Sequence, residues 1–414
     1  MIGVHSGPVE TEAGRAVAGV AARALRAAVE TLSGPAFGGR AVGSPGQERA
    51  RRWLSARLRE TGLQVHEVAF PLTVWRAAAP AEARWLPPGA PPQPLRRWGD
   101  FAVHPRSAPA PTPLRGPVVP WDGRVPVRGA WVLLARGGPA PAEVLPKLRS
   151  AAALGLLVPQ AADAGGLVKV LPSSAPWPLP VLRVRAEVAE RLPGNELEAV
   201  IPEATAVEAI GVNLLADLPG GGGHRILVGA HYDGVGDDPD GTRFPGAADN
   251  ASGVAVVLEV ARVLARTRPP GGLDVTFALF DAEELGARGS AHLARTLAAG
   301  SAEAAQLSGV IVIDHVARWR GAVWVEMGPG SDALRAALDR AGRKLGIPLR
   351  EGPVASDNRP LAAAGIPAAG LATGGERAHR MNDVPDAVDT GPMVQVARLV
   401  LGALWYLAAA LQGM

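Results

Sequence analysis

A chain of 414 residues, 48% apolar and 20% charged, has room for two or three domains and a large buried core. Its formal net charge is only +3, with no basic stripe interleaved with aromatics, which excludes nucleic acid as the expected partner. It has no cysteine, so thiolate metal ligands, a cysteine nucleophile and a disulfide framework are excluded as well.

In chain order, the first apolar stretch, Ala16 to Val29, is broken by Arg23 and Arg26 and preceded by Glu10 and Glu12. No signal-peptide core is visible in it, and a cytoplasmic location is expected. An amphipathic helix is expected from about Gly46 to Thr61, with Ala50, Trp53, Leu54, Arg57 and Leu58 on one face and Gly62 as the stop. A strand, Leu63 to Val68, follows. From Pro71 to about Pro126 the chain is dense in Pro, Ala and Arg and few periodic segments survive. A compact βαβ-like run comes next: strand Gly129–Leu134, helix Glu143–Ala153, strand Gly155–Val158, strand Leu179–Val184, a short helix Ala186–Leu192, and a closing strand Leu197–Val200. None of these elements carries a cluster of catalytic residue types.

From Val207 the pattern is regular α/β. Helix Asn250–Arg266 buries Val254, Val257, Leu258, Ala261 and Leu264, and helix Ser331–Leu345 buries Leu334, Ala337, Leu338, Ala341 and Leu345 at the same spacing. Leu399 to Leu411 is apolar but shorter than the ~20 residues a bilayer requires, so it is expected to be the last core helix, with no membrane association. The expected fold class is α/β: a mostly parallel sheet flanked by helices on both faces. Residues 1–71 and 206–414 are expected to form this domain, interrupted by a smaller inserted α/β or β-rich domain at 72–205.

Acid and imidazole side chains recur where the buried strands of the second half run out. His231 ends Ile226–Ala230, Asp249 precedes a helix, Glu283 and Glu284 follow Val275–Phe280, Asp314 ends Val310–Ile313, and His379 follows Pro367–Leu371. Open α/β sheets gather ligands at the carboxyl ends of their strands. Two imidazoles, three carboxylates and one spare carboxylate suit a pair of borderline metal ions with a general base beside them. Asp233, two residues beyond His231, is placed to hold the imidazole's other nitrogen. Glu283 and Glu284 point different ways in a turn, so that one can coordinate metal while the other serves a water. An unpaired Asp314 would be costly to bury, which favours ligation. His315 should point away from Asp314 along an extended strand and is read as structural. The acidic run Asp237-Asp238-Pro239-Asp240-Gly241 lacks the spacing of a calcium loop and is read as a solvated turn.

These segments resemble the successive motifs of the co-catalytic zinc aminopeptidases, a superfamily that also contains glutamate carboxypeptidase, glutaminyl cyclase and a non-catalytic receptor ectodomain. The resemblance is carried by His231-Tyr232-Asp233, Pro245 to Gly253, Phe280 to Gly286, Asp314, His379 to Asp383, Ser356 to Pro360 and Arg40 to Gly46. It implies two zinc ions per chain, with Asp249 bridging them, His231, Asp314, Glu284 and His379 as further ligands, and Glu283 as general base acting on a metal-bridging water. It implies peptide substrates with a free amino terminus. The insert is similar, more loosely, to a protease-associated domain. Some members place a Tyr before the final His; here that residue is Ala378. A carboxypeptidase or dipeptidase, a glutaminyl cyclase-like acyltransferase and a receptor-like binding protein are the alternative readings. The oligomeric state is not legible.

Overall fold

The computed structural model describes residues 8–172, 175–298 and 306–412. Among these, two eight-stranded sheets carry the architecture. In the first, the order is Gln64–Ala77, Ala204–Leu218, Asp274–Phe280, Arg225–His231, Leu307–Ile313, Ala368–Ala372, Val323–Met327, Leu349–Glu351. The four central strands, from Asp274–Phe280 to Ala368–Ala372, are mutually parallel. The flanks are mixed, because Gln64–Ala77, Ala204–Leu218 and Val323–Met327 join antiparallel. The protein therefore has an α/β fold whose sheet is parallel where it is most buried.

Alternation along the central strands shows both faces covered. Ile226, Val228, Phe277, Leu279, Ile311 and Ile313 enter one core with the helices Ala22–Leu32, Pro45–Glu60, Ser252–Thr267, Asp332–Leu345 and Thr390–Gln412. Leu227, Ala278, Phe280, Val310 and Val312 enter another, against Leu293 and Leu361 of the helices Arg288–Ala298 and Asn358–Ala363. Successive strand residues point to opposite faces, so a run apolar at every position must be sandwiched.

The carboxyl-terminal helix differs from the expectation. It spans Thr390–Gln412, 23 residues, and by length and composition is long enough to cross a membrane. The apolar run underestimates it because Gln395 and Arg398 lie within the helix. Its most apolar window is 67% buried within the fold, against the helices Pro8–Ala18, Ser252–Thr267 and Asp332–Leu345.

The long strands Gln64–Ala77 and Ala204–Leu218 pair over their whole shared length, from Gln64 opposite Asp217 to Ala77 opposite Ala204. The chain between them builds the second sheet, whose strands run from Glu82–Leu86 to Glu196–Ile201 in sequence. Its helix Pro141–Ser150 tolerates Pro146, and its own cores centre on Trp131, Leu182 and Leu197, and on Leu145 and Leu156.

Candidate metal centre

The parallel strands deliver their last residues to one edge. His231 ends its strand, Asp314 follows Ile313, and Asp281 to Glu284 form a turn after Phe280. Asp249 lies in the irregular turn before helix Ser252–Thr267. That helix begins hard against the neighbouring strand: a Cβ on Gly253 would lie 2.5 Å from the Ile313 carbonyl. Asn250 Nδ2 donates to the same carbonyl at 3.0 Å. Close packing at this point sets Asp249 beside Asp314. His379 arrives on the loop that follows strand Ala368–Ala372.

The donor atoms converge as two overlapping groups. His231 Nε2 is 3.4 Å from both Asp249 Oδ1 and Asp314 Oδ1. His379 Nε2 is 3.0 Å from the other oxygen, Asp249 Oδ2, and 2.7 Å from Glu284 Oε2. A tetrahedral ion with bonds of about 2.0–2.2 Å holds its donors roughly 3.3–3.6 Å apart, so the spacing around His231 suits a cation, and that around His379 closes slightly tighter. Both ring nitrogens of His231, Asp249 Oδ2, Glu284 Oε1 and Asp314 Oδ1 are buried without a hydrogen-bond partner. Such groups are costly to bury unless something charged completes them, and the donor set of imidazoles and carboxylates fits zinc.

Glu283 stands beside this set with its carboxyl pushed up to about 9, chiefly by burial and then by the charges of Asp357, Asp314 and Glu284, with His231 opposing. Burial alone would lower His379, yet Glu284 and Asp249 push it up to about 12. Both upward shifts arise in a nest of carboxylates and imidazoles sharing too little solvent, an arrangement that clusters at functional sites.

Residues 213–404 match Peptidase family M28. Leupeptin-inactivating enzyme 1 of Streptomyces exfoliatus is 34% identical over 176 residues, 42% of this chain and 38% of that protein. A probable lipoprotein aminopeptidase, LpqL, of Mycobacterium tuberculosis is 30% identical over 273 residues, 63% of this chain and 52% of its own length. The chain thus spans about half or less of these two curated relatives. A zinc aminopeptidase from Bacillus subtilis has the same fold, with a TM-score of 0.70 at 23% identity over 93% of this chain and 94% of that one.

Around the donor cluster, further side chains hold the donors in place. Asp233 faces His231 Nδ1 at 3.5 Å and accepts from the backbone N–H groups of Glu283 at 3.0 Å and Glu284 at 3.2 Å. It therefore ties one candidate donor to the turn bearing the next. Asp383 accepts from the N–H groups of Ala248 at 2.7 Å and Asp249 at 3.1 Å. Asp281 accepts from Val212 N–H at 2.9 Å and from Gln47 Nε2, anchoring the other end of the Glu283–Glu284 turn. None of Asp383, Asp281 or Arg40 is singled out by ligand spacing, because each holds backbone groups around the donor cluster.

His315 departs from the reading given above. The argument that it points away from Asp314 assumes extended backbone, but His315 has φ 50° and turns the chain at the strand end. Its Nε2 lies 3.1 Å from Asp249 Oδ2 and 3.6 Å from Asp314 Oδ1. The acidic run at Asp237–Gly241 is likewise not a solvated turn throughout. Asp238 is buried and pairs with Lys169 Nζ at 2.5 Å and Arg97 at 3.0 Å, both from the insert.

The insert also reaches the loop that carries His379. Arg380 NH1 donates to Asp163 Oδ1 at 2.9 Å and to the Gly166 carbonyl at 2.6 Å. A cavity of about 460 Å³ opens between the two sheets, lined by Val42 and Leu285 on one side and Trp98 and Leu171 on the other. None of the six predicted donor and base residues lines it.

Proposed function

We propose that this protein is a zinc-dependent exopeptidase with two ions per chain that removes amino-terminal residues from peptides. The observation that supports this most directly is the pair of donor groups sharing one carboxylate: His231 faces one oxygen of Asp249 and also Asp314, while His379 faces the other oxygen and also Glu284. Asp249 would bridge, and the other four would complete the two sites. Bound there, the ions would polarise a substrate carbonyl and lower the pKa of water.

The chain's own groups account for the rest of the chemistry. Glu283 is partly buried, and that burial raises its affinity for a proton, so as a carboxylate it can take a proton from water and return it to the departing amine. Asp233 positions it through its backbone N–H. Carboxylates around Glu284 and Asp314 give a substrate's free α-ammonium group an acceptor-rich surface. A carboxypeptidase instead needs a cation for the terminal carboxylate. Two arginines near His315, Arg318 and Arg320, are both paired with Glu376, which favours the aminopeptidase reading. The insert at 72–205 is read as protease-associated in type, since it forms its own sheet between two catalytic-domain strands.

The test is hydrolysis of aminoacyl p-nitroanilides by metal-free and zinc-loaded protein, beside amino-blocked and carboxyl-blocked peptides. Zinc-dependent cleavage lost on blocking the amine is expected. Cleavage that survives amino blocking but not carboxyl blocking would replace this reading with the carboxypeptidase.

A further inference from the structure

We propose that His315 is a third imidazole donor of the metal centre, binding the same ion as Asp249 and Asp314. This rests on the dinuclear reading above and adds a ligand to it. Oδ2 of Asp249, Oδ1 of Asp314 and Nε2 of His315 stand at 3.1 and 3.6 Å, and donor atoms of these three residues lie within 4.8 Å of one another. The His315 side chain is 29% exposed, yet Nε2 itself is buried without a hydrogen-bond partner. A ring at the surface that needed only solvation would turn this nitrogen to water; here it is turned inward, toward two carboxylates.

The surroundings fix that orientation. A positive φ is uncommon outside glycine, and here the His315 carbonyl is held by the N–H groups of Thr373 at 3.1 Å and Gly374 at 2.9 Å. Gly375 lies flat against the ring, where a Cβ would come within 2.7 Å of Cγ. The ring is thus clamped from behind with one nitrogen aimed at the donor cluster. Arrangement of this kind, with support from an outer shell of backbone contacts, is what orients metal-binding imidazoles.

The consequence is asymmetry. His231 and His315 both face Asp314 Oδ1, His315 from the Oδ2 side of Asp249 that His379 also faces. With Asp249 and Asp314, the two imidazoles would bring one ion to four protein donors, the number at which zinc sites close. The ion at Glu284 and His379 has fewer and keeps room for substrate. The alternative is that His315 is an imidazolium simply paired with the two carboxylates, displaced or silent when metal is loaded.

Cobalt(II) titration of the metal-free protein separates these, read by calorimetry, visible absorption and the count of paramagnetically shifted imidazole spin systems. Wild type is expected to show three such imidazoles, from His231, His315 and His379. His315→Ala should show two, with the affinity for one ion reduced about 10- to 100-fold, the absorption of that ion changed and the other ion unaffected. Two shifted imidazoles in wild type, or a variant that binds both ions with wild-type affinity and spectrum, overturns the assignment. The wild-type count needs no variant, so misfolding of His315→Ala leaves the test intact. A wild type that binds a single cobalt ion defeats the dinuclear reading instead, and a shifted His315 in that protein would still establish the ligand.

Discussion

The backbone N–H of Lys169 donates to the carbonyl of His379 at 2.8 Å, joining the inserted domain to a residue whose ring faces Asp249 and Glu284. The next residue, Arg380, returns the contact by gripping Asp163 and the Gly166 carbonyl. A Cβ on Gly166 would lie 2.4 Å from the Trp98 carbonyl, so the insert loop is itself wedged in place. The insert is, in the folded chain, a brace on a candidate ligand.

Arg380→Ala should therefore weaken metal binding at the His379 side about 10- to 100-fold, the usual effect of removing an outer support of a ligand. Titration of metal-free protein with zinc should show one class of site weakened and the other unchanged. Wild-type affinity at both would mean that the brace acts on substrate access alone. Excision of the insert should lower metal content as well as change KM.

Asp249→Asn should lower affinity at both sites together. Its two oxygens face different imidazoles, and an amide offers one oxygen and a neutral group where two cations need a shared anion. Elemental analysis after dialysis is the check. Retention of both ions would show that Asp249 is not the bridge.

Glu283→Gln should keep the metals and lose activity by about 10²- to 10⁴-fold, because an amide cannot accept the water's proton. Near-normal turnover in the metal-replete variant would assign the proton transfer to another carboxylate, with Asp357 the first to examine. Asp357 is fully buried, its oxygens lack hydrogen-bond partners, and burial together with nearby acids holds its carboxyl up at about 7.

Much of the centre was legible because its candidate donors sit where buried strands end, and a strand apolar at every position announces its own terminus. His231, Glu284 and Asp314 could be placed that way, and all three meet in the fold. His315 could not, because its direction depends on a positive φ imposed by Thr373, Gly374 and Gly375, residues far along the chain. Asp383 and Asp281 were missed for a related reason: they satisfy backbone N–H groups, and a lone carboxylate in sequence carries no mark of that task. The antiparallel flank Val323–Met327 is short and only partly buried, so its period-2 signal is weak. The pairing of Gln64–Ala77 with Ala204–Leu218 closes across the entire insert, a contact no local pattern reports.

Arg40 gives the sharpest stability test. Its side chain is fully buried and meets no carboxylate directly; its guanidinium donates to the carbonyls of Tyr232 at 2.9 Å, Leu32 at 2.9 Å, Pro245 at 2.8 Å and Gly246 at 2.8 Å, and reaches that of Asp249 at 3.4 Å. Two of these carbonyls belong to the segment after His231 and to Asp249 itself, so one cation stitches two ligand-bearing turns to the amino-terminal helices. Burial depresses its pKa while the charges of Asp249, Asp383, Asp233 and Glu284 act in the opposite direction, which keeps a charge tolerable at this depth. Arg40→Met removes the donors and strands several buried carbonyls, for an expected loss of roughly 3–5 kcal/mol. Arg40→Lys keeps the charge but concentrates it on one nitrogen that cannot span the same acceptors, so it should fall between wild type and the Met variant. Urea unfolding of the metal-free proteins measures this as a lower midpoint at unchanged slope. If Arg40→Lys is as stable as wild type, charge alone holds these turns and the fork of hydrogen bonds is incidental.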